Sequence, residues 1–402
     1  MLGNFVSGLG TQAALVALPY QVYVQTHSAL LTGLLGAAEL GPLVAMALLG
    51  GALADRSDRR RLLLLDQIGL VSVSAALCAA ALAGEPHIVL LYVLAGLLAG
   101  FGALQNVVRS AIVPNLVARR EDMPAALAVN FGLYQLTMVL GPGLGGLLIA
   151  AAGVEAAYGV DALSCLAMVG AVWAMSPQLP QATAREPLSI GSSIVEGLRF
   201  VRRSPALLGS FAIDLSAMTF GMPRALFPVL AISVYGAGAS GTGLLFAAVS
   251  AGAVVAALTT RWLDHARRLG VVTIVAVCAW GLAIAAVALV SSLWAAAALL
   301  AVAGAADSVS AVCRSIINQT VTPDELRGRM SSVFSLVVTS GPRLGDVEAG
   351  TVASLTSPRF SVLSGGLACV VCAGVVVAAF PALARYDKEQ ALMALGSAGV
   401  RT

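Results

Sequence analysis

The sequence predicts an all-α membrane protein: twelve membrane-spanning helices in two pseudo-symmetric six-helix bundles, with both termini cytoplasmic. Three observations carry that reading. First, 59% of the 402 residues are hydrophobic and 11% are charged, whereas soluble domains average about 25% charged residues. So few charges cannot cover a water-facing surface, and the lipid bilayer has to be the solvent. Second, the apolar runs are continuous and rich in Ala, Leu, Gly and Val. A closed β-barrel would alternate apolar and polar residues, which leaves helices as the segments that satisfy their own backbone in lipid. Third, the arginines collect in every second connection.

Taken in order, the apolar segments run over roughly 3–25, 30–54, 62–83, 87–112, 126–152, 155–176, 206–235, 241–263, 270–291, 293–314, 330–356 and 360–383. The first starts almost at Met1 with no basic region before it, so no cleavable signal peptide is expected. With nothing before Asn4 to anchor that helix, a short cytosolic N-terminus is not expected either. The second and third segments are joined by Gly50 to Arg61, where Asp55, Asp58 and four arginines (Arg56, Arg59, Arg60 and Arg61) form a tight turn. The later even connections hold Arg119 and Arg120, then Arg185, Arg199, Arg202 and Arg203, then Arg267 and Arg268, then Arg327 and Arg329; the tail adds Arg385 and Lys388. The odd connections are short and nearly free of arginine, Arg359 excepted. By the positive-inside rule the even connections and both termini face the cytoplasm.

The longest connection, Pro177 to Ser204, divides the chain into residues 1–176, a linker over 177–204, residues 205–384 and a tail over 385–402. Its prolines keep the first part extended. Ile190, Ile194, Leu198 and Val201 then recur at helical spacing, as in an amphipathic helix lying on the inner surface. The Gly191-Ser192-Ser193 run leaves a plain tether as the alternative. The two halves repeat. Thr32-Gly33-Leu34-Leu35 returns as Thr242-Gly243-Leu244-Leu245, Gly141-Pro142-x-Leu144-Gly145 as Gly341-Pro342-x-Leu344-Gly345, and Asp161-Ala162-Leu163-Ser164 as Ser361-Val362-Leu363-Ser364. Parallel six-helix repeats related by an axis along the membrane normal are an architecture of secondary transporters, with the substrate site between the halves.

The totals also exclude classes. A net charge of +3, with its arginines in loops, gives no basic face for nucleic acid. The six cysteines lie inside or beside apolar runs, so Cys369-x-x-Cys372 is read as helix packing, and the three histidines fall in separate connections. No metal, no cofactor and no catalytic residue is expected. No nucleophile–base pair gathers at one membrane depth, which argues against a membrane enzyme.

With these motifs in hand, the chain resembles the major facilitator superfamily, and within it the enterobactin-exporter-like drug-efflux branch. Gly51, Asp55, Arg56, Arg59 and Arg60 match the superfamily's loop-two signature, with Asp58 where the signature has a second glycine. Asp161-Ala162-Leu163-Ser164, Glu196-Gly197-Leu198-Arg199-Phe200 and Thr322-Pro323-Asp324-Glu325-Leu326-Arg327-Gly328-Arg329 carry the branch resemblance. Gly141, Pro142, Gly145 and Gly146 are similar to the core of the antiporter signature of the fifth helix. The resemblance implies the major facilitator fold and a conformational switch at the loop-two residues, in which Asp55 caps the helix starting near Ser331-Ser332. The fourth-helix arginine motif is absent, since Tyr92 to Leu104 contains no charge. A coupling route borrowed from that motif does not transfer.

Charges inside the apolar segments each ask for a partner or a role. They are Glu39 in the second segment, Asp161 in the sixth, Asp214 and Arg224 in the seventh, Asp307 in the tenth, and Arg343, Asp346 and Glu348 in the eleventh. Arg343 and Asp346 are three apart and can pair on one face. Asp66 is read as part of the loop-two charge network. A carboxylate in apolar surroundings without a cation is the type of group that exchanges protons near neutral pH. Glu39, with no basic residue within a turn of it, is the leading candidate; the alternative is permanent pairing with Arg224 or with neighbouring hydroxyls. The expected protein is a monomeric exporter of a small apolar or amphipathic organic molecule, a drug, siderophore or metabolite. It works by alternating access and uses protons as the coupling ion. An importer or facilitator is the alternative if every membrane carboxylate is ion-paired, and a non-transporting scaffold ranks below that.

Overall fold

The computed structural model describes residues 2–116, 123–174, 199–260, 263, 266–322 and 326–387. Nearly all of them are helical. The helices are α1 (Leu2–Thr26), α2 (Ala29–Arg56), α3 (Arg59–Leu82), α4 (Ile88–Leu116), α5 (Met123–Trp173), α6 (Pro205–Phe220), α7 (Leu226–Val229), α8 (Gly238–Thr259), α9 (Leu269–Val287), α10 (Leu293–Val321), α11 (Arg327–Leu355), α12 (Pro358–Ala379) and α13 (Pro381–Ala384). Among the described residues, eight helices are long and apolar enough to cross a membrane. α1 and α11 are 25 and 29 residues long but stand outside that group. Gln12 and Gln21 make the first more polar, and Arg343, Asp346 and Glu348 the second.

The fifth and sixth segments are two helices that follow one another within α5 and part at Gly153, as the sequence predicts, where φ is 80° and ψ 173°. Glycine reaches that conformation without a Cβ clash, so the chain reverses there with almost no loop. The seventh, read as one helix over 206–235, is broken. α6 ends at Phe220, the helix resumes at Leu226, and Leu230–Val234 is a turn of π-helix. Pro223 lies in the break; a proline has no N–H to give a helix and clashes with the preceding turn. Trp280, buried to 1% exposure, donates Nε1–H to the carbonyl of Gly221 at 2.8 Å and satisfies a group the break leaves free. The amphipathic helix expected over 190–201 lies outside the described residues, apart from a helical stretch at 199–203.

Contacts divide the chain into two compact units, Met1–Pro187 with Ala225–Ala247, and Leu188–Arg224 with Ala248–Thr402. In the first, α1 and α3 pack on α5 and α2 packs on α4. Leu18, Val22, Leu70, Leu77, Leu91 and Tyr158 form part of its buried core. Polar bonds cross that core: Thr11 Oγ1 and Ser74 Oγ donate to the two carboxylate oxygens of Asp161 at 3.0 and 2.6 Å, and Tyr158 donates to Gln21 Oε1 at 2.7 Å. Asp161 therefore ties α1, α3 and α5 together. In the second unit α9 packs on α10 and α12, and α6 on α11 and α12.

Candidate functional site: a buried charge cluster and two packed motifs

The loop-two turn is built by caps. Ser57 N–H closes α2 on Leu53 O at 3.0 Å, and Asp58 caps α3 by accepting from Arg60 N–H at 3.0 Å. An aspartate is a favoured N-cap because its oxygen meets an orphan N–H of the first turn. That gives Asp58 a role in the position where the signature has glycine. Arg60 reaches the other way. Its Nε donates to Val172 O at 3.2 Å and its Nη2 to Trp173 O, placing a cation on the free carbonyls that end α5. Arg59 is engaged as well. The side chains of Gly51, Asp55 and Arg56 lie outside the described residues, and so does the capping contact expected of Asp55.

The antiporter-like motif is a close-packing seat within the first unit. A Cβ on Gly145 would stand 2.7 Å from Ala13 Cα of α1, and one on Gly146 would stand 2.6 Å from Gly243 Cα of α8. Gly141 lies over Gln12, and the carbonyl of Pro142 would be 2.7 Å from a Cβ on Gly243. α5 thus touches α1 on one face and α8 on another at backbone distance.

Among the charges, the structure brings Asp214 and Asp307 together, and the residue that joins them is Arg314. Its Nη1 meets Asp214 Oδ1, and its Nη2 is 3.8 Å from Asp307 Oδ1. Arg314 and Asp214 are each 1% exposed, and Asp307 is 21% exposed. The contacts are ion pairs more than aligned hydrogen bonds: Arg314 Nε and Nη1, both Asp214 oxygens and Asp307 Oδ1 have no hydrogen-bond partner. Arg224, at the break after α6, acts on Asp307 at longer range. Arg314 is the member of this cluster that is absent from the sequence-based candidates. The tenth segment, expected over 293–314, continues as α10 to Val321, so Arg314 is a full two turns inside it. Its spacing of seven from Asp307 puts both on one face and was the available signal.

The remaining candidates sit elsewhere. Glu39, on α2, is 8% exposed and has a partner in the fold. Arg343, Asp346 and Glu348 are half-buried on α11, the first two engaged. Asp66 is buried on α3, accepts from Gln67 Nε2 at 3.3 Å and feels the charge of Arg109 on α4.

Apolar helices long enough to span a membrane, with a buried charge cluster among them, define a polytopic membrane protein. The family model described as transmembrane secretion effector matches residues 1–395. The chain belongs to that family of the major facilitator superfamily, and it is a multi-pass protein of the bacterial plasma membrane, of a transporter and not an enzyme class. It is 30% identical over 395 residues to the enterobactin exporter EntS of Salmonella typhi, covering 96% of this chain and 92% of the relative. The Escherichia coli O139:H28 exporter of the same name is 29% identical over the same shares. Among solved structures, the nucleoside transporter NupG superposes with a TM-score of 0.73 at 14% identity, covering 94% of this chain and 98% of that one. A POT-family transporter in complex with 5-aminolevulinic acid gives 0.72 at 11% identity, over 95% and 96%. At such identities these two speak for the fold alone.

Proposed function

We propose that the protein is a proton-driven exporter of a small apolar or amphipathic organic molecule, a twelve-helix monomer with cytoplasmic termini that works by alternating access. The likeness to enterobactin exporters supports a siderophore-like substrate. The loop-two residues act as the conformational switch, and the α5 motif is the packed seat against which it moves.

The observation that carries proton coupling is the pair of carboxylates on one buried guanidinium. With both ionised, Asp214, Asp307 and Arg314 sum to one negative charge, which Arg224 offsets at longer range and which is costly inside a bilayer. One proton makes the set neutral. A proton taken up outside and released inside therefore decides whether Arg314 holds one carboxylate or two, and the two carboxyls titrate as a unit. Asp307 is the more accessible and is the proton carrier; Asp214 is the permanent partner. Glu39, buried and engaged, suits a pairing role instead.

Inverted membrane vesicles loaded by a pH gradient, with enterobactin as first probe and a panel of toxic compounds beside it, test this. Asp307→Asn should lose gradient-driven accumulation while retaining substrate exchange without a gradient. Accumulation that still follows the gradient in this variant overturns the coupling.

A further inference from the structure

From the charge cluster onward, α10 carries a line of buried polar atoms. Asp307 Oδ1, Ser310 Oγ, Arg314 Nε and Nη1, Asn318 Oδ1 and Thr322 Oγ1 are buried and, apart from the ion pairs of Asp307 and Arg314, lack a hydrogen-bond partner among the described residues. At about 100° per residue these positions fall on one face of the helix. The stripe runs about 22 Å, at about 1.5 Å of rise per residue, from Asp307 to the C-cap Thr322. Ser310 is 0% and Thr322 4% exposed, so bulk solvent does not reach them directly. Buried polar groups left without protein partners are met by ordered water, each water taking two to four such groups.

The spacing suits this. Ser310, Arg314, Asn318 and Thr322 follow one another at four residues, or about 6 Å along the axis. One water with hydrogen bonds of about 2.8 Å on each side spans that gap. Of the elements packed on α10, α9 has no charged residue and α6 contributes Asp214, with Arg224 beyond its end; at the cytoplasmic end Tyr386, between Arg385 and Asp387, reaches Thr320 beside the stripe.

We infer that this face of α10 holds a file of water molecules from Asp307 to Thr322, and that the file carries the cluster's proton to the cytoplasmic end of the helix. This rests on the proton-coupling reading and on the cytoplasmic position of that end. On release the Asp307 O–H bond breaks, the first water takes the proton, and the carboxylate left behind returns to Arg314. Ser310, Asn318 and Thr322 position the waters and are not themselves titrated.

Thiol protection by Ag+ tests the file without needing the substrate, because Ag+ is about as wide as a water molecule and is captured by a thiolate that water reaches. The full chain is used in inverted vesicles with the partly exposed Cys78, Cys278 and Cys372 replaced by alanine. Ser310→Cys, Asn318→Cys and Thr322→Cys should each bind Ag+, read as maleimide labelling lost after denaturation. The native Cys313, fully buried and about 60° round the helix from Ser310, should stay unreactive and serve as the dry control. Adding Asn318→Leu should slow Ser310→Cys about tenfold or more and leave Thr322→Cys unchanged. A Ser310→Cys thiol no faster than Cys313, or unaffected by Asn318→Leu, overturns the file; should that variant fail to insert, Asn318→Cys and Thr322→Cys give the same comparison with Cys313. Gradient-dependent transport in Asp307→Asn overturns the coupling instead and leaves the labelling pattern standing.

Discussion

Arg314 shows how much a single side chain decides in a low-dielectric interior. Alone, a guanidinium at that depth is expensive, and so is either aspartate; together they are tolerated because each offsets the other's lost hydration. Removing one partner strands the rest. We expect Arg314→Leu to destabilise the protein by about 3–5 kcal/mol, the usual cost of breaking a buried pair, read as a lowered melting temperature in detergent. Asp214→Leu with Arg314→Met should regain most of that stability, since an apolar pair of similar volume replaces the ions. The double variant should still fail to transport against a gradient. A double variant no more stable than the single one would show that the charges do more than satisfy each other. Asp161 follows the opposite logic: the Thr11 and Ser74 hydroxyls and the Cys165 thiol bond it, and it serves as a tie between three helices.

At the scale of elements, close approach is what the glycine motifs provide. α5 and α8 meet at Gly146 and Gly243 with no room for a methyl group, because its neighbours there would be backbone atoms that cannot rotate away. Gly243→Ala should therefore push the helices apart and cost ~1–3 kcal/mol, as overpacking does. Thermal unfolding of the purified variant measures it, and wild-type stability would mean that the crossing gives way freely. The caps around loop two are similarly local in cause. Asp58 closes the start of α3 and Arg60 finishes α5, so one short turn fastens the ends of two helices.

For the whole molecule, the placement of arginine in alternate connections predicts which ends face the cytoplasm. A cysteine replacing Ser57 should be labelled by impermeant thiol reagents in inverted vesicles and stay unlabelled in intact cells. Labelling from outside the cell would reverse the topology, and with it the direction of the proposed proton path.

The membrane class and the family were readable from the chain alone because they are sums over many residues. Apolar length, charge sparsity and a repeat spacing of some two hundred positions survive any single misjudged boundary. Even Gly153, the reversal between two spans, was visible, since a glycine at the join of two apolar runs is a local signal. The partnership of Asp214 and Asp307 through Arg314 was not, and neither was the bond from Arg60 to the end of α5. Each joins residues about a hundred positions apart, and which helix stands opposite a given turn depends on how the bundle packs. The break after α6 lay between these cases: Gly221 and Pro223 announce it, but the hydrophobic run passes over them unbroken, and only the packing of Trp280 against the freed carbonyl makes the interruption affordable. Composition and period are properties of the chain, whereas the pairing of charges at one depth is a property of its neighbours.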